Sequence, residues 1–184
     1  MKAFFRDTIA TLVLALVLFF TLQATLQSFI VIGYSMEPSF HEAQRIMVNR
    51  IVYRLHDPQR GDVIVFQAPN GQNGDYIKRV IGLPGESVEI RDGTVYIRRD
   101  GQTFSLDEPY IKSTPSYNYH GGVIPANEYF VLGDNRNNSN DSHNGWLAAR
   151  NDIIGKAWLS IWPPDEWGLA PNYALTPQVA SATR

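Results

Sequence analysis

The sequence predicts an all-β domain of short antiparallel strands held on a single N-terminal membrane helix. The helix is indicated by the stretch from Thr8 to Met36, which contains no charged side chain and includes the continuously apolar run Leu12–Phe20. The β domain is indicated by short runs of Val, Ile and aromatic residues, separated by turn-forming Gly, Pro, Asn and Asp. At 184 residues the chain is long enough for one sizeable core.

The apolar segment is long enough to cross a bilayer. A helix needs about 20 residues to span the hydrocarbon core, and Ile9 to Phe29 supplies them. Lys2 and Arg6 precede it, so the positive-inside rule predicts a cytoplasmic N-terminus and an extracytoplasmic remainder. We therefore assign residues 1–7 to a cytoplasmic tail and residues 8–30 to a transmembrane anchor. A cleaved signal peptide is the alternative, but the apolar part is long and no small-x-small cleavage site follows it.

Residues 31–169 are predicted to form one β domain. Asp92-Gly93 stands between two alternating runs, which is a strong signal for a two-residue hairpin. Residues 170–184 are poor in apolar side chains, and we expect a disordered polar tail there. The predicted strands lie in the runs RIMVNRIVY, GDVIVF, YIKRVIGL, SVEIRDGTVYI, EYFVLGD and IIGKAWLSIWP.

Composition excludes several classes of function. The net charge of −2 gives no basis for a polyanion-binding surface, so no nucleic acid partner is expected. The absence of cysteine excludes disulfides, thiolate metal sites and a cysteine nucleophile. The segment GDNRNNSNDSHNG superficially resembles a calcium loop, but Arg136 occupies the third position, where a cation needs an oxygen. We expect neither a metal nor a cofactor.

Ser35, in VIGYSMEPSF, is the first candidate nucleophile. A serine needs a base to take its proton and donors to stabilise the oxyanion. The surrounding GYSME is not the G-x-S-x-G elbow of α/β-hydrolases, and Pro38 stands where an S-x-x-K motif has its lysine. The base must therefore come from elsewhere in the chain. Taken alone, Ser35 is better explained as a turn residue.

Lys78 is the candidate base. In an alternating strand, Tyr76, Lys78 and Val80 share one face, so the Lys78 side chain is predicted to point the same way as an aromatic and a β-branched side chain. Only a neutral lysine accepts a proton, and at the reference pKa of about 10.4 roughly one in 2,500 is neutral at pH 7. Burial lowers such a pKa by up to about 3–5 units. Taken alone, a lysine whose stem packs while its head reaches water is the simpler explanation.

The polar segment from Gly133 to Gly145 supplies groups that could orient a buried lysine. Ser139 offers a hydroxyl, and Asp134 or Asp141 a carboxylate. The alternative is a solvated turn rich in Asn and Asp. His143 with either carboxylate could instead complete a Ser-His-Asp triad with the candidate serine, although the spacing does not favour it.

Together these residues resemble the type I signal peptidases, the membrane-bound Ser/Lys proteases that remove signal peptides from exported preproteins. The resemblance follows the chain in order, from the N-terminal anchor through Ser35–Pro38, Arg60–Phe66 and Tyr76–Gly85 to Gly133–Ser142. Four such motifs behind one membrane span are highly specific. The ending Asp-Ser-His also occurs in Gram-positive, cyanobacterial and thylakoid members, whereas many other members have arginine where His143 stands.

The resemblance implies a role for each matching residue. Ser35 matches the nucleophile, Lys78 the general base and Ser139 the hydroxyl that orients the lysine amine. The backbone N–H of Ser35 would bind the oxyanion. Some members add a serine hydroxyl two residues earlier, where this chain has Gly33, so a backbone or water donor would have to replace it. The residues that would support this centre from the polar segment are Asp141, Asp134 and Arg136.

Partners and location follow from the same resemblance. The substrates would be preprotein signal peptides, bound as an extended strand and cut after small residues at positions −3 and −1. The chain would sit in the lipid bilayer of a bacterial cell membrane or a thylakoid membrane, and the short segment before the anchor favours a bacterial source. The walls of the two pockets are predicted to be Phe29, Val31, Ile32, Met36, Phe40, Tyr76 and Ile77.

Two other functions fit parts of the sequence. A self-cleaving repressor-type Ser/Lys protease shares the chemistry and the core fold, but it requires a DNA-binding domain and an internal cleavage site. A non-catalytic, membrane-tethered β module predicts that Ser35→Ala and Lys78→Ala have only small effects on stability.

Overall fold

The structure is a computed structural model that describes residues 2–69, 71 and 73–179, with the side chains of all of these except 2, 3 and 179. In this part of the chain two antiparallel sheets follow one long helix, which confirms the predicted fold class. The helices are α1 (Lys2–Thr25) and the short α2 (Val52–Leu55). The strands are β1 (Leu26–Ile30), β2 (Arg45–Asn49), β3 (Val63–Gln67), β4 (Asp75–Gly82), β5 (Ser87–Arg91), β6 (Thr94–Arg99), β7 (Gln102–Ser105), β8 (Tyr119–Val123), β9 (Glu128–Leu132), β10 (Ala148–Ala149), β11 (Ile153–Trp162), β12 (Gly168–Leu169) and β13 (Gln178–Val179).

Helix α1 is long and apolar enough between Phe4 and Thr25 to span a bilayer, and none of that stretch is buried against the protein. Its bounds differ from the predicted 1–7 tail and 8–30 anchor, because the helix begins at Lys2 and ends at Thr25. The next five residues form β1, which pairs antiparallel with β2. Pairing gives β1 backbone hydrogen bonds to β2 along one edge, and this non-local gain ends the helix earlier than the apolar pattern indicates.

The larger sheet has eight strands in the order β1-β2-β11-β3-β4-β9-β10, with β12 paired to β11. Strand β1 is a terminal strand and, within the described residues, pairs only with β2. Strand β4 pairs with β3 from residue 75 onward, and its pairing with β9 begins at Arg79. Strand β1 and the first residues of β4 flank the cleft described below.

Both faces of the larger sheet are buried at β3, which explains why its sequence is continuously apolar. Val63 and Val65 pack on one face with Ile46 and Val48 of β2. Side chains alternate along a strand, so the residues between them, Ile64 and Phe66, join a second cluster on the other face.

The smaller sheet is ordered β13-β7-β6-β5-β8 and packs through its own apolar cluster, which includes Val88, Ile90, Val95 and Ile97. The hairpin expected at Asp92-Gly93 forms between β5 and β6. Both turn residues have positive φ, 48° and 73°, as a two-residue hairpin of this kind requires.

The segment 170–179 differs from the disordered tail that its polarity suggested. Ala170 is buried in the core of the larger sheet. The Asn172 side chain accepts a hydrogen bond from Val63 N at 2.8 Å and donates one to Ala157 O at 2.9 Å. Leu175 packs on the apolar cluster of the smaller sheet, and β13 extends that sheet. A few well-placed side chains therefore fix this segment; the rest of the predicted tail, 180–184, lies outside the described residues.

Candidate active site

Ser35 lies in the turn between β1 and β2, and the loop after β9 holds this turn in place. Asn135 N donates to Ser35 O at 3.0 Å, and the Asn135 side-chain amide donates to Tyr34 O at 3.0 Å. These two bonds join residues about a hundred positions apart. Asn135 was not predicted as a site residue, because only the fold brings it to the turn.

Lys78 on β4 points at this serine. Its Nζ is 2.8 Å from Ser35 Oγ and 2.9 Å from Ile77 O, and only 4% of the residue is exposed. Burial disfavours the charged ammonium and lowers the pKa of Lys78 from 10.5 to about 8, although the carboxylates of Asp141 and Asp134 oppose this shift. The predicted orientation of Lys78 toward apolar surroundings therefore matches its position.

A lysine in this state can act as a base near neutral pH. With a pKa of about 8, about one Lys78 amine in ten is neutral at pH 7, against roughly one in 2,500 for an ordinary lysine. The hydroxyl that it contacts is within hydrogen-bonding reach, which is the geometry required between a nucleophile and its general base.

Asp141 is fully buried and ties the polar segment to the end of β9. Its Oδ2 accepts a hydrogen bond from Gly133 N at 2.9 Å. Gly133 packs so closely that a Cβ there would lie 2.5 Å from Ser35 O and would also collide with Ser139 Oγ. The glycine is therefore needed for the close approach of this loop to the nucleophile's turn.

Ser139 lies beside this contact, but it does not bind the lysine. Its Oγ is buried and has no hydrogen-bond partner among the described residues. The lysine-orienting bond inferred from the resemblance is thus not formed, and the role of Ser139 stays a prediction. The orphaned hydroxyl is next to the nucleophile's carbonyl, because both contact Gly133.

Asp134 and Arg136 belong to buried ion pairs with partners other than the lysine. Asp134 accepts two hydrogen bonds from Arg79, at 2.8 and 2.6 Å, and both side chains are completely buried. Arg136 binds both carboxylate oxygens of Glu108, at 2.8 and 2.5 Å. Arg79 and Glu108 were missed as supporting residues. Arg79 could have been detected because it adjoins Lys78 in the sequence, whereas no local sequence motif identifies Glu108.

His143 does not complete a triad with Ser35. Its Nδ1 lies 2.6 Å from Asp141 Oδ1, and its ring stacks on Tyr117 with centroids 4.1 Å apart. In the described part of the chain no hydrogen bond joins this imidazole to the serine. The runner-up mechanism therefore lacks its base.

The two predicted oxyanion donors differ in availability. No hydrogen bond joins the Ser35 N–H to a backbone acceptor among the described residues. The Gly33 N–H donates to the carboxylate of Glu42 instead. Gly33 has a φ of 84°, a conformation that glycine adopts without strain. The Gly33 N–H is thus engaged in this conformation, and the backbone or water group that would serve as second oxyanion donor stays a prediction.

A cleft of about 710 Å³ runs past the serine and the lysine. Five predicted pocket residues line it, namely Phe29, Val31, Ile32, Tyr76 and Ile77. Met36 and Phe40 do not, because both are fully buried in the core beneath the turn. Further cleft residues, which were not predicted from the sequence, include Ile46 and Val65 on the sheet face, with Asp75, Asn138 and Asn140 at the polar side. The alternation of β2 and β3 could have indicated the first two.

Among the residues that the structure describes, no group of three or more His, Asp or Glu side chains could hold a metal ion.

Comparison with known proteins gives consistent matches. A family model described as signal peptidase, peptidase S26, matches residues 5–162. A probable signal peptidase I-1 of a Synechocystis species is 39% identical over 184 residues, covering 95% of this chain and 91% of that protein. A signal peptidase I of Leptolyngbya laminosa is 43% identical over 149 residues, covering 76% and 71%. Signal peptidase IB of Staphylococcus aureus is 37% identical over 153 residues, covering 73% and 77%. A solved signal peptidase I of Enterococcus faecalis V583 has a TM-score of 0.48 and 33% identity, covering 54% of this chain and 96% of that chain.

Proposed function

This chain belongs to the signal peptidase family, peptidase S26, and we propose that it removes signal peptides from exported preproteins with Ser35 as nucleophile and Lys78 as general base. The single observation that carries the mechanism is the 2.8 Å contact between the buried Lys78 Nζ and Ser35 Oγ. A neutral amine at that distance can take the hydroxyl proton as the oxygen attacks.

The reaction is an acyl transfer in two halves. Ser35 Oγ attacks the scissile carbonyl while its proton moves to Lys78 Nζ, and the oxyanion accepts a hydrogen bond from the Ser35 N–H. Collapse breaks the C–N bond, and the lysine returns the proton to the leaving amine. In the second half Lys78 takes a proton from water, whose oxygen attacks the acyl carbon. Collapse breaks the bond between that carbon and Ser35 Oγ, Lys78 returns the proton to Ser35 Oγ, and the signal peptide is released.

The substrate would lie as an extended strand in the cleft between β1 and the first residues of β4. Residues 28–33 border the cleft on one side and residues 75–78 on the other, and the terminal strand β1 offers backbone donors and acceptors along its outer edge to an added strand. The apolar walls carry Phe29, Ile46, Val65 and Ile77. Large side chains in these positions leave room only for small substrate residues at −1 and −3, and this exclusion of larger residues is the basis of the proposed specificity.

The membrane helix would fix the site at the bilayer surface. The helix ends at Thr25, and Ser35 follows ten residues later across β1 and its turn. With Lys2 and Arg6 at the other end of the helix, the N-terminus is proposed to be cytoplasmic and the β domain extracytoplasmic. The membrane is proposed to be a bacterial cell membrane or a thylakoid membrane. A signal peptide emerging from the same bilayer would present its cleavage site at this height.

The test is cleavage of a preprotein by the full chain in detergent micelles. Wild type should cut after the signal peptide, and both Ser35→Ala and Lys78→Ala should reduce cleavage by at least a thousandfold. Lys112→Ala, at an exposed lysine, is the matched control and should retain full activity. Activity that survives in both site variants would support the tethered, non-catalytic module. Cleavage within the chain itself, with no cleavage of preproteins, would support the self-cleaving class.

A further inference from the structure

The cleft is lined by one amine and one carboxylate, and the mechanism above uses only the amine. Among the described residues that line the cleft, Lys78 supplies the amine and Asp75 the carboxylate. Asp75 begins β4, three residues before Lys78, which places it about 10 Å along the strand from the lysine. The carboxylate therefore lies at the end of the cleft that is remote from Ser35.

The Asp75 side chain belongs to the cleft face of β4. Side chains alternate along a strand, so Asp75 shares a face with Ile77. Ile77 packs on the core cluster that includes Ile46 and Val65, and all three of these residues line the cleft. Asp75 is exposed, and within the described part of the chain no ion pair or side-chain hydrogen bond engages its carboxylate. Its charge is thus available to a bound molecule.

A polar depression of about 480 Å³ continues from the cleft at this end, and Asp75 lines both. Gln67 and Asn73 border the depression with neutral amides, and Asp152 adds a second carboxylate. None of the described residues that line it is a lysine or an arginine. A peptide that leaves the cleft here passes from apolar walls into polar, negatively charged surroundings. Such surroundings attract a cation and repel an anion.

The alternation of extended chains sets which substrate residue meets Asp75. In the proposed function the side chains at −1 and −3 point into the apolar pockets, of which Ile77 forms a wall. The next substrate side chain in the same direction belongs to position −5. Two residues span about 7 Å in an extended strand, and the same distance along β4 separates Ile77 from Asp75. The residue at −5 therefore reaches the carboxylate when the residue at −3 lies beside Ile77.

We propose that Asp75 is a specificity-determining residue that favours lysine or arginine, and disfavours aspartate or glutamate, at position −5 of the preprotein. This inference rests on the proposed function, because it takes the substrate strand to lie in the cleft. A cation at −5 is attracted by Asp75, whereas an anion brings a second negative charge beside it. The contact is exposed to water, so each charge changes binding by about twofold to threefold. Salt weakens the effect, because the Debye length falls from about 30 Å at 0.01 M to about 3 Å at 1 M.

The experiment compares three signal peptides that differ only at position −5, where they carry Lys, Gln or Glu. The full chain is assayed in uncharged detergent micelles, and kcat/KM is measured at low and at high salt. The readout is the Lys-to-Glu ratio within each protein, so an overall change in activity cancels. Asp75→Asn removes the charge and Asp75→Lys reverses it. Asp100→Asn is the matched control, because that side chain is 93% exposed and lies in the turn between β6 and β7.

Binding is measured as well, so that the inference and the proposed function can fail separately. The same three peptides, each carrying a fluorophore, are titrated into Ser35→Ala with and without Asp75→Asn, and the dissociation constants are read from fluorescence anisotropy. This measurement needs no cleavage, because the proposed nucleophile is absent.

Wild type should cut the Lys peptide about fourfold to ninefold more efficiently than the Glu peptide at low salt, with the difference mainly in KM. The ratio should approach one at high salt and in Asp75→Asn, invert in Asp75→Lys, and keep its wild-type value in Asp100→Asn. Equal ratios in wild type and Asp75→Asn would overturn the inference and leave the proposed function standing. A ratio lowered equally by Asp100→Asn would assign the effect to net charge and would also overturn it. A preference for the Lys peptide in binding that Asp75→Asn removes, in a chain that cuts none of the peptides, would support the charged subsite and refute the proposed function.

Discussion

Replacing Lys78 by Met should remove the free-energy cost that burial of this lysine adds to folding at neutral pH. Lys78 is 4% exposed, and its pKa is lowered from 10.5 to about 8, chiefly by burial. The folded state therefore disfavours the charged ammonium that the unfolded chain carries. Methionine keeps a comparable volume without the charge, so the substitution removes this cost and leaves the pH-independent packing terms as a constant offset.

The sign and size of this free-energy cost follow from proton linkage. Below pH 8 Lys78 is protonated in both the folded and the unfolded state, so the full cost is present. Between pH 8 and 10.5 the unfolded state binds more protons than the folded state, so the stability of wild type rises with pH. At about 1.36 kcal/mol per unit, the total cost is about 3.4 kcal/mol. Between pH 7 and pH 10 the free energy of unfolding of wild type should thus rise by about 2.5 kcal/mol relative to Lys78→Met.

The assay is urea unfolding in detergent micelles, followed by tryptophan fluorescence at several pH values. All four tryptophans lie after residue 145, in the β domain. Tyrosine titration in this range affects both proteins and cancels in the difference. Lys112→Met, at an exposed lysine, serves as the control and should give a curve parallel to wild type. If the Lys78→Met curve is also parallel to wild type, the lysine is not held at a lowered pKa and the reasoning fails.

Three further predictions follow from the same geometry. The acid limb of kcat/KM should have a midpoint near pH 8 and a tenfold loss per unit below it, as deprotonation of Lys78 requires; a midpoint near 6.5 would indicate a histidine base instead. Gly133→Ala should lower kcat by about a hundredfold or more, because its Cβ collides with the nucleophile's turn, whereas Gly122→Ala, with open space around it, should be neutral; equal activities in the two variants would contradict the close approach. Arg79→Met should reduce the free energy of unfolding by about 3–5 kcal/mol, because it leaves Asp134 charged and buried without its partner; a urea midpoint within error of wild type would exclude that role.

Ser35 and Lys78 became candidates through short motifs and strand alternation, but only the resemblance to the type I signal peptidases gave them their roles. The fold brings the two side chains to 2.8 Å across 43 positions. The Asp92-Gly93 hairpin was equally local. What sequence reasoning missed depends on contacts between distant segments. The helix end at Thr25 is set by pairing of β1 with β2, and the apolar pattern alone does not reveal it.

The prediction of pocket residues was wrong where nearness to Ser35 in the sequence was taken to mean nearness to the cleft. Met36 and Phe40 flank the serine in the chain, but the turn directs them into the core. The tail after residue 169 was expected to be disordered because most of its residues are polar. It is nevertheless fixed to the protein by Ala170 and Leu175, which pack on separate cores. Average polarity is therefore a poor guide where single side chains determine whether a segment is fixed.

The most direct test of the central claim is to identify the atom that receives the acyl group. A signal peptide ending in an activated ester in place of the scissile amide is mixed with the full chain, and the adduct is located by mass spectrometry. We expect one adduct on Ser35, formed with a pH midpoint near 8 and absent from Lys78→Met at pH 7. An adduct on any other residue, or unchanged acylation of Ser35 in Lys78→Met, would contradict the Ser35–Lys78 mechanism.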